Sequence, residues 1–353
     1  MIERLHEVLC GRLAGLELSP AELLDRDATG GLDEPGMVSA NRHCRLLRCT
    51  DGWAALNLAR ADDVDLVPAL TGQSGEAWDA VTGMAASVGV AEFRGQAIEL
   101  QLPVAAVGES TPQLLAAAGS MRVPRKVVDL AALWAGPLCA GLLGRTGARV
   151  VRIESLGRPD PTATGSPRLD TRINGGKERL ALDLRTPEGR AALESELADA
   201  DVLVTSARPA ALLRLGLDPA RLSQLTWVAI TAHGFAGPGA TRVGFGDDCA
   251  AAGGLVRWED GAPRFLGDAL ADPLTGLEAA LAVLAGQRGL VDMAMARVAA
   301  VVLKRGEPTV IPVLEALPLG PLTAPATFAF SGSGWGHGIG MSQWGAYAMA
   351  KAG

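Results

Sequence analysis

Apolar residues recur along this chain with two spacings, one typical of strands and one typical of helices. Six apolar runs of five or six residues lie at 126–130, 148–153, 179–184, 201–205, 227–231 and 290–295. Several are separated by stretches whose apolar residues have helical spacing. Strands that alternate with helices predict a parallel sheet of the doubly wound, Rossmann-like kind. Ligands of such sheets bind beyond the carboxyl ends of the strands.

The first 120 residues mix both patterns without that regular alternation. Residues 44–59 indicate two strands that meet at Asp51-Gly52, a dipeptide common in hairpin turns. Ser19 followed by Glu22 indicates a capping box that opens a helix. This part of the chain is therefore expected to form a smaller α+β unit.

These changes in the spacing of apolar residues predict three segments. A small α+β domain is expected over 1–120 and a Rossmann-like domain over 121–303. Residues 304–353 begin with a Pro-rich, linker-like stretch and end in a Gly-rich tail. The predicted fold class is α/β, with a doubly wound, mostly parallel sheet and a smaller N-terminal α+β domain.

Composition and charge narrow the function classes. The 353 residues are 48% hydrophobic and 20% charged, with a net charge of −7 and no dense Lys/Arg block. A nucleic-acid or membrane partner is therefore not expected. The chain has neither the pattern of a signal peptide nor an apolar run of membrane-spanning length, so we expect a cytoplasmic protein.

The cysteines indicate neither a disulfide framework nor a metal site. The chain has five, an odd number, and they are scattered. Cys44 and Cys49 lie five positions apart, but no second Cys or His pair follows at metal-ligand spacing. We therefore expect no bound metal.

Residues 266–287 set Asp268 and Asp272 directly before an almost wholly apolar run. Asp is a preferred N-cap, and Pro273 would then occupy the first helical position, where a missing N–H costs nothing. A helix N-terminus also holds a carboxylate ionised, in a state that can act as a nucleophile. Capping is the commoner use of such an Asp, and these residues alone leave both roles of Asp272, cap and nucleophile, open.

Four stretches, taken in order, resemble the class III CoA-transferases, the group of formyl-CoA transferase and carnitine CoA-transferase. They are 127–154, 174–193, 199–217 and 267–286. The second carries the family's Asn-x-x-Lys, Leu-Asp-Leu and Thr-Pro-Glu-Gly elements, and the fourth carries the stretch that holds its catalytic aspartate. On this likeness Asp272 falls on that aspartate.

The resemblance implies a function and a mechanism. The family moves CoA from an acyl-CoA thioester to a carboxylic acid through covalent intermediates on the aspartate. It implies acyl-CoA and a carboxylic acid as partners, CoA as a substrate rather than a tightly bound cofactor, and a homodimer.

The resemblance also implies CoA-binding positions. Matched residue by residue, these are Ala135, Leu182, Asp183, Leu184, Arg185, Ser206, Ala207, Arg208 and Arg214. The three arginines suit the anionic phosphates of CoA. The alternative for each arginine is a solvated helix face.

The sequence departs from the family pattern at four positions near the expected site, which are Trp134, Ser155, Thr205 and Gly246. Because of these four departures, a family member that binds CoA but does not catalyse its transfer stays an alternative. An acyl-CoA racemase of the same family is another, and it would need an acid–base pair. His233 with Asp247 or Asp248 is the nearby candidate.

Segment order and the tail raise further possibilities. Residues 43–70 resemble the family's smaller domain, which normally follows the sheet, so the order is expected to be rearranged here. Residues 332–353 resemble a different family, the stage II sporulation protein D (amidase-enhancer) domain. That likeness implies the remaining alternative, a protein that acts on cell-wall glycans through its tail, in which His337 would be a ligand or an acid–base group.

Overall fold

The computed structural model of the protein describes residues 16, 18–112, 122–156, 159–304 and 327–328. Its N-terminal part holds a three-stranded antiparallel sheet in the order β1-β2-β3. The strands are β1 (Cys44–Arg48), β2 (Trp53–Asn57) and β3 (Val104–Ala106). The helices of this part are α1 (Pro20–Leu24), α2 (Ala61–Asp65), α3 (Val67–Thr71), α4 (Ala77–Ser87) and α5 (Val90–Glu99).

Local sequence signals in this part act as predicted. β1 and β2 form the expected hairpin, which the Cys49 N–H closes by donating to the Gly52 carbonyl at 2.9 Å. At α1 the Ser19 hydroxyl accepts from the Glu22 N–H, while the Glu22 carboxylate accepts from the Ser19 N–H. The backbone N–H groups of Ser19 and Glu22, which have no partner within the helix, are thereby satisfied.

The second sheet has seven parallel strands in the order β11-β8-β7-β4-β5-β6-β12. The strands from β4 to β8 are β4 (Lys126–Leu130), β5 (Arg149–Ser155), β6 (Glu178–Leu182), β7 (Val202–Thr205) and β8 (Thr226–Thr231). The outer strands are β11 (Gly289–Ala294) and β12 (Thr327–Phe328), and a separate antiparallel hairpin consists of β9 (Val256–Glu259) and β10 (Ala262–Phe265). The six predicted apolar runs are confirmed as the six longer strands of this sheet.

Helices lie between these strands, as the alternation predicted. They are α6 (Ala135–Arg145), α7 (Thr162–Gly165), α8 (Pro167–Asn174), α9 (Pro187–Ala198), α10 (Pro209–Arg214), α11 (Gly246–Ala252), α12 (Ala271–Leu284) and α13 (Met295–Lys304). A short 3₁₀ helix spans Gly237–Thr241.

The parallel sheet buries both faces, which is the mark of a doubly wound fold. Alternate residues of β4 point to opposite sides: Val127 packs with α6 and α12, whereas Val128 packs with Leu193 of α9 and Leu212 of α10. The predicted fold class is confirmed. The N-terminal unit has its own core, which includes the fully buried Phe93.

Several expectations concern residues that are only partly described. The tail at 304–353 lies outside the described residues except for 304, 327 and 328, so the likeness to the sporulation protein stays a prediction, as do the domain boundaries. The four described cysteines are buried free thiols. Within the described ranges, no helix combines the length and the hydropathy needed to cross a membrane.

Candidate active site

Asp272 lies in the first turn of α12, but not as its cap. The helix begins at Ala271, with Leu270 in the N-cap position, and Pro273 is its third residue rather than its first. The predicted capping role is therefore wrong. The Asp272 N–H donates to the Ala269 carbonyl at 2.9 Å, and the backbone N–H of Ala135, at the start of α6, is among the groups that lower the pKa of the Asp272 carboxyl.

The Asp272 side chain lies where two cavities meet. The larger, of about 750 Å³, is bounded by the N-terminal segment, α7 and the start of α11. The smaller, of about 100 Å³, lies beyond the carboxyl ends of β4, β7 and β8. Leu133, Phe245 and Asp272 line both of them. One carboxylate is thus accessible from two sides, at the edge of the sheet where ligands bind in such folds.

The surroundings of Asp272 disfavour its charge. Burial raises its pKa to about 7, the carboxylates of Asp247 and Asp268 add to that rise, and Arg26 opposes it. Burial also raises the pKa of Asp247 to about 6, with a further contribution from Asp268. A group of carboxyls with raised pKa values in a cleft is typical of a catalytic site.

The N-terminal segment supplies part of this site. Arg26 forms a two-fold hydrogen-bonded ion pair with Asp268. The Asn41 amide donates to Asp247 at 2.7 Å and to Asp268 at 3.0 Å. The sequence analysis missed Arg26 and Asn41, because more than 200 positions separate them from their partners and neither belongs to a motif.

The loop between β4 and α6 carries the Ala135 N–H to Asp272, and it is held on several sides. The Ala132 N–H donates to the Ser206 hydroxyl and the Leu133 N–H to the Asp160 carboxylate, each at 2.9 Å. Leu133 has a φ of 68°, a left-handed conformation that a side chain rarely adopts. Strain of this kind persists where the surroundings over-determine it, as at ligand sites.

A buried ion network supports that loop from beneath. Lys177 donates to Asp129, to Asn174 and to the Pro137 carbonyl at 2.6–2.8 Å. Arg152 donates to Asp129 at 3.1 Å, and burial lowers the pKa of Lys177 to about 8. The Asn-x-x-Lys element of the sequence thus has a structural role here.

Replacing Lys177 by Met is expected to destabilise the fold by about 3 kcal/mol, because it leaves Asp129 short of a partner in a buried site. Urea unfolding followed by circular dichroism measures the loss. Arg149→Met is the matched control: Arg149 pairs with Glu178 at the surface, where an ion pair contributes about 1 kcal/mol or less. Equal losses in both variants would contradict a supporting role for the buried network.

The structure brings some of the predicted CoA-binding positions to Asp272 and leaves others apart. Ala135, Ser206, Ala207 and Arg208 line the smaller cavity together with Asp272. Leu182, Asp183, Leu184 and Arg185 lie at the end of β6 and line neither cavity, and Asp183 is paired with Arg185. Arg214 is exposed at the end of α10. All nine assignments stay predictions.

Two guanidinium groups present buried N–H donors without partners. Nε and Nη2 of Arg208 are buried with no hydrogen-bond acceptor among the described residues, as is Nη1 of Arg60. Burial and the charges of Arg60 and Arg214 lower the pKa of Arg208. Arg60 lines the larger cavity, and sequence analysis did not single it out. Unsatisfied donors next to a cavity are the expected feature of an anion-binding site.

For three of the four departures from the family pattern, the structure shows what the side chain contacts or what its absence makes room for. Trp134 is buried, lies 5.7 Å from the Arg26 guanidinium and lines the larger cavity. The Thr205 hydroxyl accepts from the indole N–H of Trp227 at 2.9 Å. At Gly246 a Cβ would lie only 2.2 Å from Oδ2 of Asp272, so the missing side chain makes room for that carboxylate.

Of the two acid–base pairs considered for a racemase, His233 lies close to Asp248, but neither of these two residues lines a cavity. Asp247 lines the larger cavity, whereas His233 and Asp248 are buried and line neither. Burial lowers the pKa of His233 to about 3 and raises that of Asp248 to about 8. At neutral pH this imidazole is uncharged.

Comparison with known proteins agrees with the likeness carried by the sequence motifs. A family model described as CoA-transferase family III matches residues 125–303. The chain is 32% identical over 184 residues to a succinyl-CoA–D-citramalate CoA-transferase of Chloroflexus aurantiacus, covering 47% of this chain and 46% of that protein.

A second relative is the succinyl-CoA:glutarate CoA-transferase of Homo sapiens, 31% identical over 175 residues, with 46% of this chain and 40% of that protein covered. A solved structure of a CAIB/BAIF family protein from Brucella suis is 30% identical, with a TM-score of 0.47 over 53% of this chain and 56% of that chain. The chain spans about half the length, or less, of the curated relatives it matches.

Proposed function

The chain belongs to CoA-transferase family III, and from this premise we propose that it transfers CoA from an acyl-CoA thioester to a carboxylic acid through covalent intermediates on Asp272. The observation that carries the proposal is the place of this carboxylate at the junction of two cavities. A CoA thioester and a free acid can then reach one nucleophile from different sides, which replaces a collision in solution by positioned groups.

The first half of the proposed reaction moves CoA onto the enzyme. The Asp272 carboxylate attacks the thioester carbonyl, the C–S bond breaks, and CoA leaves as a thiolate while the acyl group stays on Asp272 as an anhydride. The thiolate then attacks the aspartyl carbonyl of that anhydride. This releases the donor acid as a carboxylate and leaves CoA on Asp272 as a thioester.

The second half runs the same steps with the acceptor. Its carboxylate attacks the aspartyl thioester and expels the CoA thiolate, which forms a second anhydride. The thiolate attacks the acceptor carbonyl of this anhydride, which yields the new acyl-CoA and the free Asp272 carboxylate. No net proton or electron is exchanged, so no bound cofactor is needed.

The neighbouring groups suit these steps. With a pKa of about 7, Asp272 is partly ionised at neutral pH, and its weak solvation favours attack on a carbonyl. The Ala135 N–H favours its ionised form. The free N–H donors of Arg208, at the smaller cavity, suit an anionic part of the substrate.

Trapping tests the proposal directly. The full chain is incubated with succinyl-CoA, the donor named for both relatives, and then with hydroxylamine, which converts an aspartyl anhydride or thioester into a hydroxamate. Trypsin releases residues 265–288 as one peptide, which contains both Asp268 and Asp272. Fragment spectra must therefore assign the modified carboxyl.

A hydroxamate on Asp272, absent from Asp272→Ala, is the expected result. An unmodified peptide from a protein that binds CoA would instead favour a CoA-binding relative without turnover. Racemisation of a chiral acyl-CoA without exchange would favour the racemase alternative.

Replacing Arg208 by Gln is expected to raise the KM for acyl-CoA about 10- to 100-fold with little change in the KM for the acid, because it removes charge-assisted hydrogen bonds worth about 1.5–3 kcal/mol. Steady-state exchange kinetics measure both constants. Arg221→Gln, at an exposed position away from both cavities, is the matched control. A rise confined to the KM for the acid would assign Arg208 to the acid instead.

The assembly and the cellular setting stay predictions. A homodimer and a cytoplasmic location are implied by the resemblance and by the composition, and the rearranged segment order is implied by residues 43–70. Size-exclusion chromatography with light scattering measures the mass of the assembly. A 36.3 kDa species would contradict the predicted dimer.

A further inference from the structure

Three buried side chains with metal-binding donors meet behind the wall of the smaller cavity. His233 follows β8, and Asp248 and Cys249 are neighbours on α11. One donor atom from each lies within 4.8 Å of the other two. His233 is 6% exposed, and Asp248 and Cys249 are fully buried. The proposed transfer reaction uses none of them.

Each donor in this group has unused capacity. Nε2 of His233 is buried and has no hydrogen-bond partner among the described residues. Oδ1 of Asp248 accepts from the Phe245 N–H and the Asn57 amide, while Oδ2 lies 3.9 Å from Sγ of Cys249. The nearest hydrogen-bond acceptor for that thiol besides Asp248 is the Ala232 carbonyl at 3.7 Å. A buried polar group without a partner requires an explanation.

We propose that His233, Asp248 and Cys249 bind a divalent transition-metal ion, with Zn²⁺ as the best match. Imidazole, carboxylate and thiolate are the three side-chain donors that Zn²⁺ takes in proteins, and three protein ligands leave its fourth position open. Donor atoms around tetrahedral Zn²⁺ lie roughly 3.3–3.6 Å apart. The separations in this group, which are at most 4.8 Å, therefore close by no more than about 1.5 Å when the ion binds.

The surroundings fit this site. The hydrogen bonds from Asn57 and the Phe245 N–H fix the Asp248 carboxylate, as second-layer contacts do at metal centres. At Gly244 a Cβ would lie 2.7 Å from Oδ2 of Asp248 and 2.8 Å from Sγ of Cys249, so only glycine leaves the space beside these donors free.

The local charges also permit a cation. Among the cationic side chains that act on His233, Arg242 and Arg94 both pair with Glu109. The Asp248 carboxylate and the Cys249 thiolate together carry two negative charges, which balance a divalent ion. Binding expels to solvent the thiol proton of Cys249 and any proton that Asp248 carries, because the thiolate and the carboxylate are the ligands.

Titration of the metal-free full chain with Co²⁺, followed by displacement with Zn²⁺, tests the site. Thiolate ligation gives a charge-transfer band in the near ultraviolet. We expect this band to saturate at one ion per chain in the natural protein, to vanish in Cys249→Ala, and to require at least about 10-fold more Co²⁺ in His233→Gln, the usual effect of losing a ligand-shell group. Cys139→Ala, which removes another buried thiol, is the matched control and keeps the band.

Two results would overturn the site: no band in the natural protein, or a band that survives Cys249→Ala, which would assign the ion to other cysteines of the chain. Gly244→Ala keeps all three donors while filling the space between them, and we expect it to lose the band as well. Circular dichroism of each variant establishes that it is folded. Because the readout is spectroscopic, failure of the metal site leaves the proposed transfer reaction untouched.

Discussion

Replacing Asp272 by Asn is expected to abolish the proposed CoA exchange and, at the same time, to make the protein more stable at neutral and alkaline pH. Activity is lost because an amide cannot attack a thioester as a carboxylate does. Removal of a covalent nucleophile typically costs at least about 10⁴-fold in kcat. Folding improves because the substitution removes a charge that the site solvates poorly.

The pH dependence of this stabilisation follows from the sign of the pKa shift. The folded state raises the pKa of Asp272 from 3.8 to about 7. Well below pH 3.8 the group is protonated in both states and costs nothing. As the pH rises to 7 the unfolded chain ionises first, so the folded state loses stability, and the full penalty is reached above pH 7.

The expected gain in Asp272→Asn is therefore near zero at pH 3 and rises to at most about 4 kcal/mol above pH 7. The gain is smaller where cavity water screens the carboxylate. Urea unfolding at a series of pH values, paired with an exchange assay at each pH, measures both effects.

Asp199→Asn is the matched control for this experiment. Asp199 is exposed, and its hydrogen bond with Lys126 holds its pKa below the ordinary value, so its removal brings no gain at high pH. An Asp272→Asn protein with full activity, or with no gain of stability at pH 8, would contradict the assignment of Asp272 as a buried nucleophile.

The sequence predicted the fold well because the fold depends on local patterns. Apolar runs placed six strands of the parallel sheet to within two residues, since a strand buried on both faces must be apolar throughout. The hairpin at Asp51-Gly52 and the capping box at Ser19 followed from chemistry within a few residues of each signal.

The site was harder to predict because it depends on contacts between distant residues. Asp272 was found through a motif, and local preference left a capping role open beside the catalytic one. In the structure the Ala135 N–H favours the ionised form of its carboxyl, and Leu270 precedes the helix instead. Arg26, Asn41 and Arg60 carry no local pattern, and only the packing of the N-terminal unit brings them to the cavity.

Gly246 shows how a sequence comparison can mislead about such a site. It is one of the departures from the family pattern that kept a CoA-binding relative without turnover as an alternative. In the structure a Cβ at this position would lie 2.2 Å from Oδ2 of Asp272 and 2.4 Å from the Ala269 carbonyl oxygen. The glycine is therefore required by the present position of the Asp272 carboxylate.

Replacing Gly246 by Ala is expected to lower kcat about 100-fold or more, because displacement of a reacting group by about 1 Å can cost that much. The clash cannot be relieved by rotating one side chain. The second group that the added Cβ meets is the backbone carbonyl of Ala269. This residue is held in a left-handed conformation with a φ of 45°, and its N–H donates to Asp247 at 2.8 Å. Asp272 must therefore move. Overpacking should also lower stability by about 1–3 kcal/mol.

Gly95→Ala separates this effect from the general effect of adding a methyl group. Gly95 lies inside α5 with open space around it, so Ala there should raise stability by up to about 1 kcal/mol and leave exchange unchanged. Exchange kinetics and urea unfolding of both variants give the comparison. If Gly246→Ala keeps its kcat, the rate does not depend on the observed position of Asp272. If Gly246→Ala loses activity while Gly95→Ala keeps it, then the glycine at position 246 is needed because it allows Asp272 to pack closely against the backbone.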